Sequence, residues 1–405
     1  MRRLALAIPV AALLCGSALT AHAQTISITS NVAVNTTWGP TGTVVGTVFW
    51  VKNSIAVNSG VTLNIQPGVV VKFNPYVQFV VNGNLRCIGT GPGSIVFTSI
   101  KDDNVGGDTN GDGLATVPNS SDWYGIAWPD ASPDFGSRLH YCDVQFAGAG
   151  AGGALTFTSA SDTVSNCNIR RSYYGLDCQG TAAPVMTSTS IEASTLTPIV
   201  LDFTATPVFS SLVFSTANNG YDAFGLRGAT LYSGTFATLP QRGATVGVNP
   251  VPNVTYVLFG GITINAGAGL TIAPGVVIKP TGAHVINVFG NLTMNGTAGV
   301  GNEIVMTSIH DDNYGLPSDT NNNGSITAPT PGNVGYVYFN QGATGSVQYS
   351  RLKFGTTNAA LGTISMFNNS IGVSNCTLTD AAHGLAILGV GAVIEPLLLV
   401  SLGRP

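Results

Sequence analysis

Charged residues are scarce in this chain of 405 residues. Asp, Glu, Lys and Arg make up 8% of it, about a third of the usual fraction. Only 15 Lys and Arg are spread over the whole length, which excludes a basic nucleic-acid-binding surface. Glu occurs three times, so a coiled coil or helical bundle is also excluded. An apolar content of 44% and a net charge of −4 exclude charge-driven disorder.

The first 23 residues have the three parts of a secretory signal peptide. Arg2 and Arg3 supply the positive start, residues 4–19 are apolar, and residues 21–23 (Ala-His-Ala) form a small-x-small cleavage site. We therefore expect cleavage, export, and a secreted or cell-surface location. No later stretch is long and apolar enough to cross a bilayer, so we expect no transmembrane segment in the mature chain.

Cysteine is also scarce, and its number is odd once the leader is removed. The five that remain are Cys87, Cys142, Cys167, Cys178 and Cys376. An odd count in an exported chain does not indicate a disulfide framework. We predict that these are small buried side chains in a stacked core, rather than bridges or metal ligands.

The chain contains two copies of one unit of about 208 residues. The matching blocks keep one order at offsets of 207 to 209 residues: 63–72 with 270–279, 97–103 with 306–312, 139–146 with 347–354, and 164–167 with 373–376. A common order and nearly constant offset identify a tandem repeat. We divide the chain into a leader (1–23), copy one (24–239) and copy two (240–405). Copy two is the shorter, and its apolar tail (395–405) differs in composition, so we expect it to be truncated.

Both copies consist of short β-branched or aromatic runs separated by Gly, Pro or Asn, which are strand and turn signals. Their close, regular succession predicts an all-β fold, a parallel β-helix (β-solenoid) in two tandem copies. Scarce charge fits this prediction, because like charges stacked about 4.8 Å apart would repel.

The motifs of copy one resemble those of a known group of proteins. Residues 63–73 read Leu-x-Ile-x-Pro-Gly-Val-x-Val-Lys-Phe, residues 81–85 read Val-Asn-Gly-Asn-Leu, and residues 95–99 read Ile-Val-Phe-Thr-Ser. They resemble exported bacterial right-handed parallel β-helix repeat proteins with the pectin-lyase-like fold. The resemblance implies this fold over nearly all of the mature chain. It says little about function, because the fold hosts lyases, hydrolases, adhesins and passive surface proteins.

Two equivalent loops hold almost half of the chain's 16 Asp residues. Those seven are Asp102, Asp103, Asp108, Asp112, Asp311, Asp312 and Asp319. Each loop contains the start of a Ca²⁺-binding loop, in which oxygens at positions 1, 3 and 5 converge on the cation and Gly at position 6 allows a sharp turn. The residues at these four positions are Asp108, Asn110, Asp112 and Gly113 in copy one, and Asp319, Asn321, Asn323 and Gly324 in copy two.

The acid expected at position 12 is missing, because Asn119 and Thr330 stand there. The pattern therefore predicts an EF-like half-loop that binds Ca²⁺, not an EF-hand. The pairs Asp102–Asp103 and Asp311–Asp312 could supply the missing ligands. The alternative is a loop of Asx turns that bonds only its own backbone.

An aromatic strand follows each loop, at residues 122–128 and 334–339. Such strands could form a sugar-stacking platform, but packing beneath the loop is the favoured interpretation.

No catalytic arrangement stands out in the sequence. Basic residues are scattered, the Asp pair recurs in both copies, and Gly-x-Ser-x-Gly, His-Glu-x-x-His and phosphate-loop motifs are absent. We predict an exported non-catalytic solenoid, a surface or adhesive module with Ca²⁺-stabilised loops and a candidate face for a polysaccharide or cell-surface glycan. The alternative is a carbohydrate-active β-helix enzyme, either a polysaccharide lyase or a hydrolase.

Overall fold

The computed structural model describes residues 24–40, 47–215, 219–324, 327–358, 360–369 and 371–388. The predicted signal peptide (1–23) and the tail at 395–405 lie outside the described residues. Within those ranges the chain is 43% strand, with one short 3₁₀ turn at Ala149–Ala151. None of the described helical structure is long and apolar enough to span a membrane.

Parallel strands stack into a β-solenoid of about 14 turns, which confirms the predicted fold class. The strands form five sheets, named I to V here. Sheet I contains, in spatial order, β1 (Gln24–Ile28), β3 (Thr47–Val51), β6 (Val69–Phe73), β9 (Ile95–Ser99), β12 (Cys142–Gln145), β15 (Asn168–Arg170), β18 (Ser190–Glu192), β21 (Val213–Phe214), β25 (Ala244–Val246) and β26 (Asn249–Val251).

Sheet II runs through both copies. It contains β4 (Ile55–Val57), β7 (Gln78–Val81), β10 (Gly125–Trp128), β13 (Gly153–Thr158), β16 (Tyr174–Gln179), β19 (Ile199–Leu201), β22 (Phe224–Leu226), β27 (Tyr256–Leu258), β30 (Val277–Pro280), β33 (Ile304–Met306), β36 (Ser350–Lys353) and β39 (Thr377–Thr379).

The other three sheets each belong mainly to one copy. Sheet III contains β2 (Thr36–Trp38), β5 (Thr62–Ile65), β8 (Asn84–Ile88), β11 (Arg138–His140), β14 (Thr163–Ser165), β17 (Val185–Thr187) and β20 (Val208–Ser210). Sheet IV contains β23 (Ala229–Leu231), β28 (Ile262–Ile264), β31 (Ile286–Val288), β34 (Val337–Phe339), β37 (Ile364–Phe367) and β40 (Leu385–Leu388). Sheet V contains β24 (Phe236–Leu239), β29 (Gly269–Ile272), β32 (Asn291–Asn295), β35 (Thr344–Gln348) and β38 (Gly372–Ser374).

One continuous apolar core fills the interior of the solenoid. Because side chains alternate along a strand, one residue in two points inward and stacks on its neighbours in adjacent turns. Large aromatic rings take part in this stacking: Phe73 and Trp123 lie parallel, with ring centroids 4.0 Å apart. All five described cysteines are buried and free, as predicted, and the backbone N–H of Cys142 donates to Cys167 Sγ in the next turn (3.5 Å).

The second copy is rotated by one sheet relative to the first. The Pro-Gly-Val-Val-Val-Lys run forms β6 in sheet I, whereas its equivalent, 207 residues later, forms β30 in sheet II. The change occurs after β22. Between β22 and β27, the next strand of sheet II, the chain forms the four strands β23, β24, β25 and β26. Only two strands, β20 and β21, separate β19 from β22 in the same sheet. Sheet I ends there in the antiparallel pair β25–β26.

Candidate metal centre

Loop 1 (residues 100–124) joins β9 to β10 and folds back over the outer face of sheet I. It approaches that face at Gly106, where an added Cβ would lie 2.8 Å from Val48 Cγ2 and 3.4 Å from Val70 Cγ1. Gly106 also has a φ of +71°, a left-handed conformation that glycine adopts without steric cost. The loop therefore covers two turns of the solenoid that precede it.

Lys72 fixes this loop from below. It points outward from β6, and the loop buries it completely. Its Nζ donates to the carbonyl oxygens of Asp102 (2.8 Å) and Gly107 (2.5 Å). Burial lowers the pKa of Lys72, while the carboxylates of Asp102, Asp103 and Asp108 oppose that shift. The ammonium group thus binds the loop backbone and partly offsets the negative charge of the loop's carboxylates.

Asp102 anchors the loop to the solenoid. Its carboxylate is buried, and Oδ2 accepts hydrogen bonds from Thr98 Oγ1 (2.7 Å) and Gln145 Nε2 (2.8 Å). The other oxygen accepts a weaker bond from the N–H of Asn104 (3.3 Å). These partners join the loop to β9 and β12, and they place the Asp102 carboxylate outside the acidic cluster described next.

Three other predicted residues of copy one do come together. Carboxylate oxygens of Asp103, Asp108 and Asp112 all lie within 4.8 Å of one another. Asn110 joins them, because its Nδ2 donates to Asp112 Oδ2 (2.8 Å). The spacing predicted from the sequence is thus realised as one cluster at the solvent side of loop 1.

A tight turn around Asp108 shapes the cluster. The N–H groups of Gly111 (2.7 Å) and Asp112 (3.2 Å) donate to Asp108 Oδ1, and that of Gly113 donates to Oδ2 (2.9 Å). These bonds, and that from Gly113 most of all, lower the pKa of Asp108 because they favour its charged form. Asp108 thus makes the backbone hydrogen bonds that an Asx turn requires.

Asp103 is in the opposite situation. Both of its carboxylate oxygens are shielded from solvent, and neither has a hydrogen-bond partner among the described residues. Asn110 Oδ1 and Asp112 Oδ1 share this property within the described chain. Burial raises the pKa of Asp103, and the nearby charge of Asp108 raises it further. Four shielded acceptor atoms thus lie in one loop without a donor from the described residues.

Loop 2 (residues 307–336, described except for 325 and 326) joins β33 to β34 and covers sheet II in the same way. The N–H of Leu316 donates to Thr255 Oγ1 (2.9 Å), and that of Asp222 donates to the carbonyl of Thr320 (3.0 Å). Beneath it, Lys279 Nζ donates to Ser318 O and Thr320 Oγ1, both at 2.9 Å. Burial lowers the pKa of Lys279 to about 8.

Asp311 is the anchor of loop 2, as Asp102 is of loop 1. Its Oδ2 accepts a hydrogen bond from Thr307 Oγ1 (2.5 Å), and its Oδ1 accepts one from Asn313 Nδ2 (2.9 Å). The amide of Gln145 is replaced here by the ammonium group of Lys353, 3.9 Å from Asp311 Oδ2. The anchoring residue is the first Asp of the pair in both copies.

The acceptors of loop 2 resemble those of loop 1 but carry less charge. Asp319 accepts from the N–H groups of Asn323 (3.3 Å) and Gly324 (3.1 Å). Asp312 Oδ1 and Asn321 Oδ1 are shielded and have no hydrogen-bond partner in the described part of the chain. Burial raises the pKa of Asp312. Asn323 replaces the third carboxylate of loop 1, so this site is the less acidic one.

The large rings of the aromatic strand that follows loop 1 pack in the core of the solenoid, on Phe73 and Phe157. Trp123 and Trp128 are fully buried, whereas Tyr124 is 39% exposed beside the more exposed Tyr76. The two tyrosine rings lie 6.2 Å apart and are tilted by 57°. They do not form a flat platform.

The two lysines beneath the loops were not among the predicted site residues. A signal for them exists, because Lys72 and Lys279 end the best-matched block of the repeat. An outward lysine in a charge-poor strand, close in sequence to an Asp-rich loop, indicates a partner for that loop.

Comparisons with protein families, with curated proteins and with solved structures give no match.

Proposed function

We propose that loop 1 binds Ca²⁺ through Asp103, Asp108, Asn110 and Asp112. The observation that supports this is Asp103, whose two shielded oxygens lack a hydrogen-bond donor among the described residues while facing two more carboxylates. A carboxylate whose oxygens are shielded from water and unpaired is costly unless a cation or proton compensates it. Ca²⁺ fits because it prefers six to eight oxygen ligands, including carboxylate and amide oxygens.

The same chemistry extends, more weakly, to Asp312, Asp319, Asn321 and Asn323 in loop 2. Two carboxylates in place of three reduce the attraction for a divalent cation. We therefore propose a lower Ca²⁺ affinity for loop 2. In both loops a bound ion would further stabilise the loop, which the hydrogen bonds of Asp102 or Asp311 already join to the solenoid.

Calcium titration calorimetry and thermal unfolding test the loop 1 site. We expect Ca²⁺ to raise the melting temperature of the protein, and Asp103→Asn to remove most of that rise. Asp130→Asn is the matched control, because Asp130 is an exposed acid outside the cluster. Superimposable melting curves with Ca²⁺ and with excess chelator would contradict the proposal.

At the level of the whole protein, we propose an exported, non-catalytic surface or adhesive module that contacts glycans. The signal-like leader, the β-solenoid and the repeated loops support this role. A bacterial origin and membership of the pectin-lyase-like group belong to the same proposal and rest on the motif resemblance. The rival function, a polysaccharide lyase or hydrolase, is tested by depolymerisation assays on acidic and neutral polysaccharides with and without Ca²⁺. Catalytic turnover would refute the non-catalytic role.

A further inference from the structure

A groove of about 880 Å³ opens on copy two, between loop 2 and the outer face of sheet II. Its apolar lining includes Val277 and Val305, which lie on neighbouring strands β30 and β33. Tyr314 and Leu316 of loop 2 contribute a second apolar wall. The groove adjoins the candidate metal site but shares none of its proposed ligands.

The charges of the groove cancel locally. Glu303 and Arg351 are the charged residues among those that line it. Arg351 donates from Nη2 (2.9 Å) and Nε (3.1 Å) to the same oxygen, Oε2 of Glu303. The pair leaves no net charge to attract an ionic ligand. Its other oxygen, Glu303 Oε1, accepts no hydrogen bond from the described residues and is therefore available to a donor from a ligand.

The aromatic ring of Tyr314 is held in place. The guanidinium of Arg351 lies 5.7 Å from its centroid and the ammonium of Lys353 lies 5.1 Å from it, both within cation–π distance. A ring that is already fixed loses little conformational entropy when a ligand packs against it.

Side-chain amides supply the polar contacts. Gln241, Asn253, Asn302 and Asn313 all line the groove. Asn253 Nδ2 donates to the carbonyl of Gly275, whereas Asn253 Oδ1 is shielded and has no hydrogen-bond donor among the described residues. The bond to Gly275 fixes the Asn253 amide in the wall of the groove.

We propose that this groove binds an uncharged oligosaccharide. Sugar hydroxyls both donate and accept hydrogen bonds, which suits amides and a carboxylate oxygen, and the C–H face of a pyranose suits an aromatic ring. The internal Glu303–Arg351 pair disfavours acidic sugars. The inference rests on the proposed glycan-contacting role and assigns it to a particular surface.

Copy one lacks the residues that define the groove. Ser94 occupies the position of Glu303, Val105 that of Tyr314, and Asp143 that of Arg351. The same scaffold therefore carries the ion pair and the aromatic wall once only, in copy two. Because copy one forms the same solenoid without these residues, the fold does not require them, which favours a role in binding.

Calorimetric titration of the full chain with maltohexaose, cellohexaose, mannohexaose and xylohexaose tests the proposal, with hexagalacturonate as the acidic probe. We expect at least one neutral probe to bind, and Tyr314→Ala to weaken it by at least about tenfold. Tyr232→Ala is the matched control, since Tyr232 is 68% exposed and does not line the groove. Glu303→Gln leaves Arg351 unpaired, so we expect this variant to gain affinity for hexagalacturonate.

The outcomes separate this inference from the glycan role itself. Neutral binding that survives Tyr314→Ala, in a variant with an unchanged melting temperature, would refute the groove and leave glycan contact standing. Binding of hexagalacturonate alone to the unmodified protein would refute the charge argument and with it the inference. No binding of any probe would refute both the groove and the glycan role, while the calcium site is tested independently.

Discussion

Lys72 and Lys279 are equivalent residues of the repeat, 207 positions apart, and they lie on different sheets of the same solenoid. Each points outward, is fully buried by an Asp-rich loop and donates hydrogen bonds to that loop. The one-sheet rotation between the copies therefore displaces the lysine and its loop together, from sheet I in copy one to sheet II in copy two. Loop 1 covers sheet I and loop 2 covers sheet II, so the two candidate metal sites do not lie over one sheet.

Replacing Lys72 tests what this lysine contributes to the stability of the protein and to the Ca²⁺ affinity of loop 1. Lys72→Met removes the ammonium group beneath loop 1 while keeping much of the side-chain volume. We expect the metal-free protein to lose about 2 kcal/mol of unfolding free energy, because two hydrogen bonds from a charged donor disappear. We expect Ca²⁺ affinity to rise several-fold, because a cation that competes for the same carboxylates is gone. Chemical denaturation in chelator and calcium calorimetry measure the two effects.

Lys279→Met is the matched control, since it makes the same change beneath loop 2. It should leave the loop 1 calcium isotherm unchanged. A fall in Ca²⁺ affinity in Lys72→Met would show that Lys72 organises the cluster more than it repels the ion.

The neighbouring acids Asp102 and Asp103 should respond in opposite ways. Asp102→Asn disturbs a buried carboxylate that accepts from Thr98 and Gln145, so we expect a loss of about 1–3 kcal/mol with the Ca²⁺ response retained. Asp103→Asn removes an unpaired, crowded carboxylate, so we expect the metal-free protein to be at least as stable as the unmodified one and most of the Ca²⁺ response to be lost. Denaturation curves with Ca²⁺ and with chelator measure both variants. Loss of the Ca²⁺ response in Asp102→Asn alone would reverse the two roles.

Much of the fold was predictable from sequence because it is repetitive. Short apolar runs with turn residues between them leave few alternatives to stacked strands, and the offsets of 207 to 209 residues identify the duplication. The spacing of Asp108, Asn110 and Asp112 likewise predicted that these side chains converge, since a local turn needs only a short segment.

The sequence could not distinguish the members of each Asp pair. Asp102 and Asp103 are adjacent and chemically identical, and only the partners supplied by Thr98 and Gln145 make the first an anchor. The rotation of copy two was also hidden, because it depends on which strand pairs with which across the β23–β26 segment. The bond to Gln145 and the strand pairing both join residues of neighbouring turns that are far apart in sequence, so no single local pattern reveals them.

The buried thiols allow a check of the core. We expect Ellman's reagent to leave all five described cysteines of the native protein unmodified and to react with all of them after denaturation. Burial raises the pKa of Cys142 and of Cys178 well above the usual thiol value, which further suppresses the reactive thiolate. Val248→Cys, at a position that is 89% exposed, is the positive control. Rapid labelling of the native thiols would contradict the packing, and two fewer thiols after denaturation would indicate a bridge such as Cys142–Cys167.

Asp162 should make the stability of the solenoid depend on pH. Its side chain is 1% exposed; Oδ1 accepts from the N–H of Ser137 (2.7 Å), and Oδ2 has no partner within the described chain. Burial raises its pKa from 3.8 to about 6. Since the folded state favours the protonated acid, the ionised form lowers stability progressively as the pH rises from 3.8 through 6, and the full loss applies above that range.

Asp162→Asn removes this titration while keeping an oxygen for the Ser137 N–H. We expect the variant to exceed the unmodified protein by about 1–2 kcal/mol at neutral pH, with the difference shrinking as the pH falls towards 4. Denaturation curves across this range measure the difference, and Asp130→Asn controls for the loss of a surface charge. If the difference in unfolding free energy between variant and unmodified protein is the same at every pH, Asp162 does not titrate in this window. Only a group whose pKa differs between the folded and the unfolded chain makes that difference depend on pH.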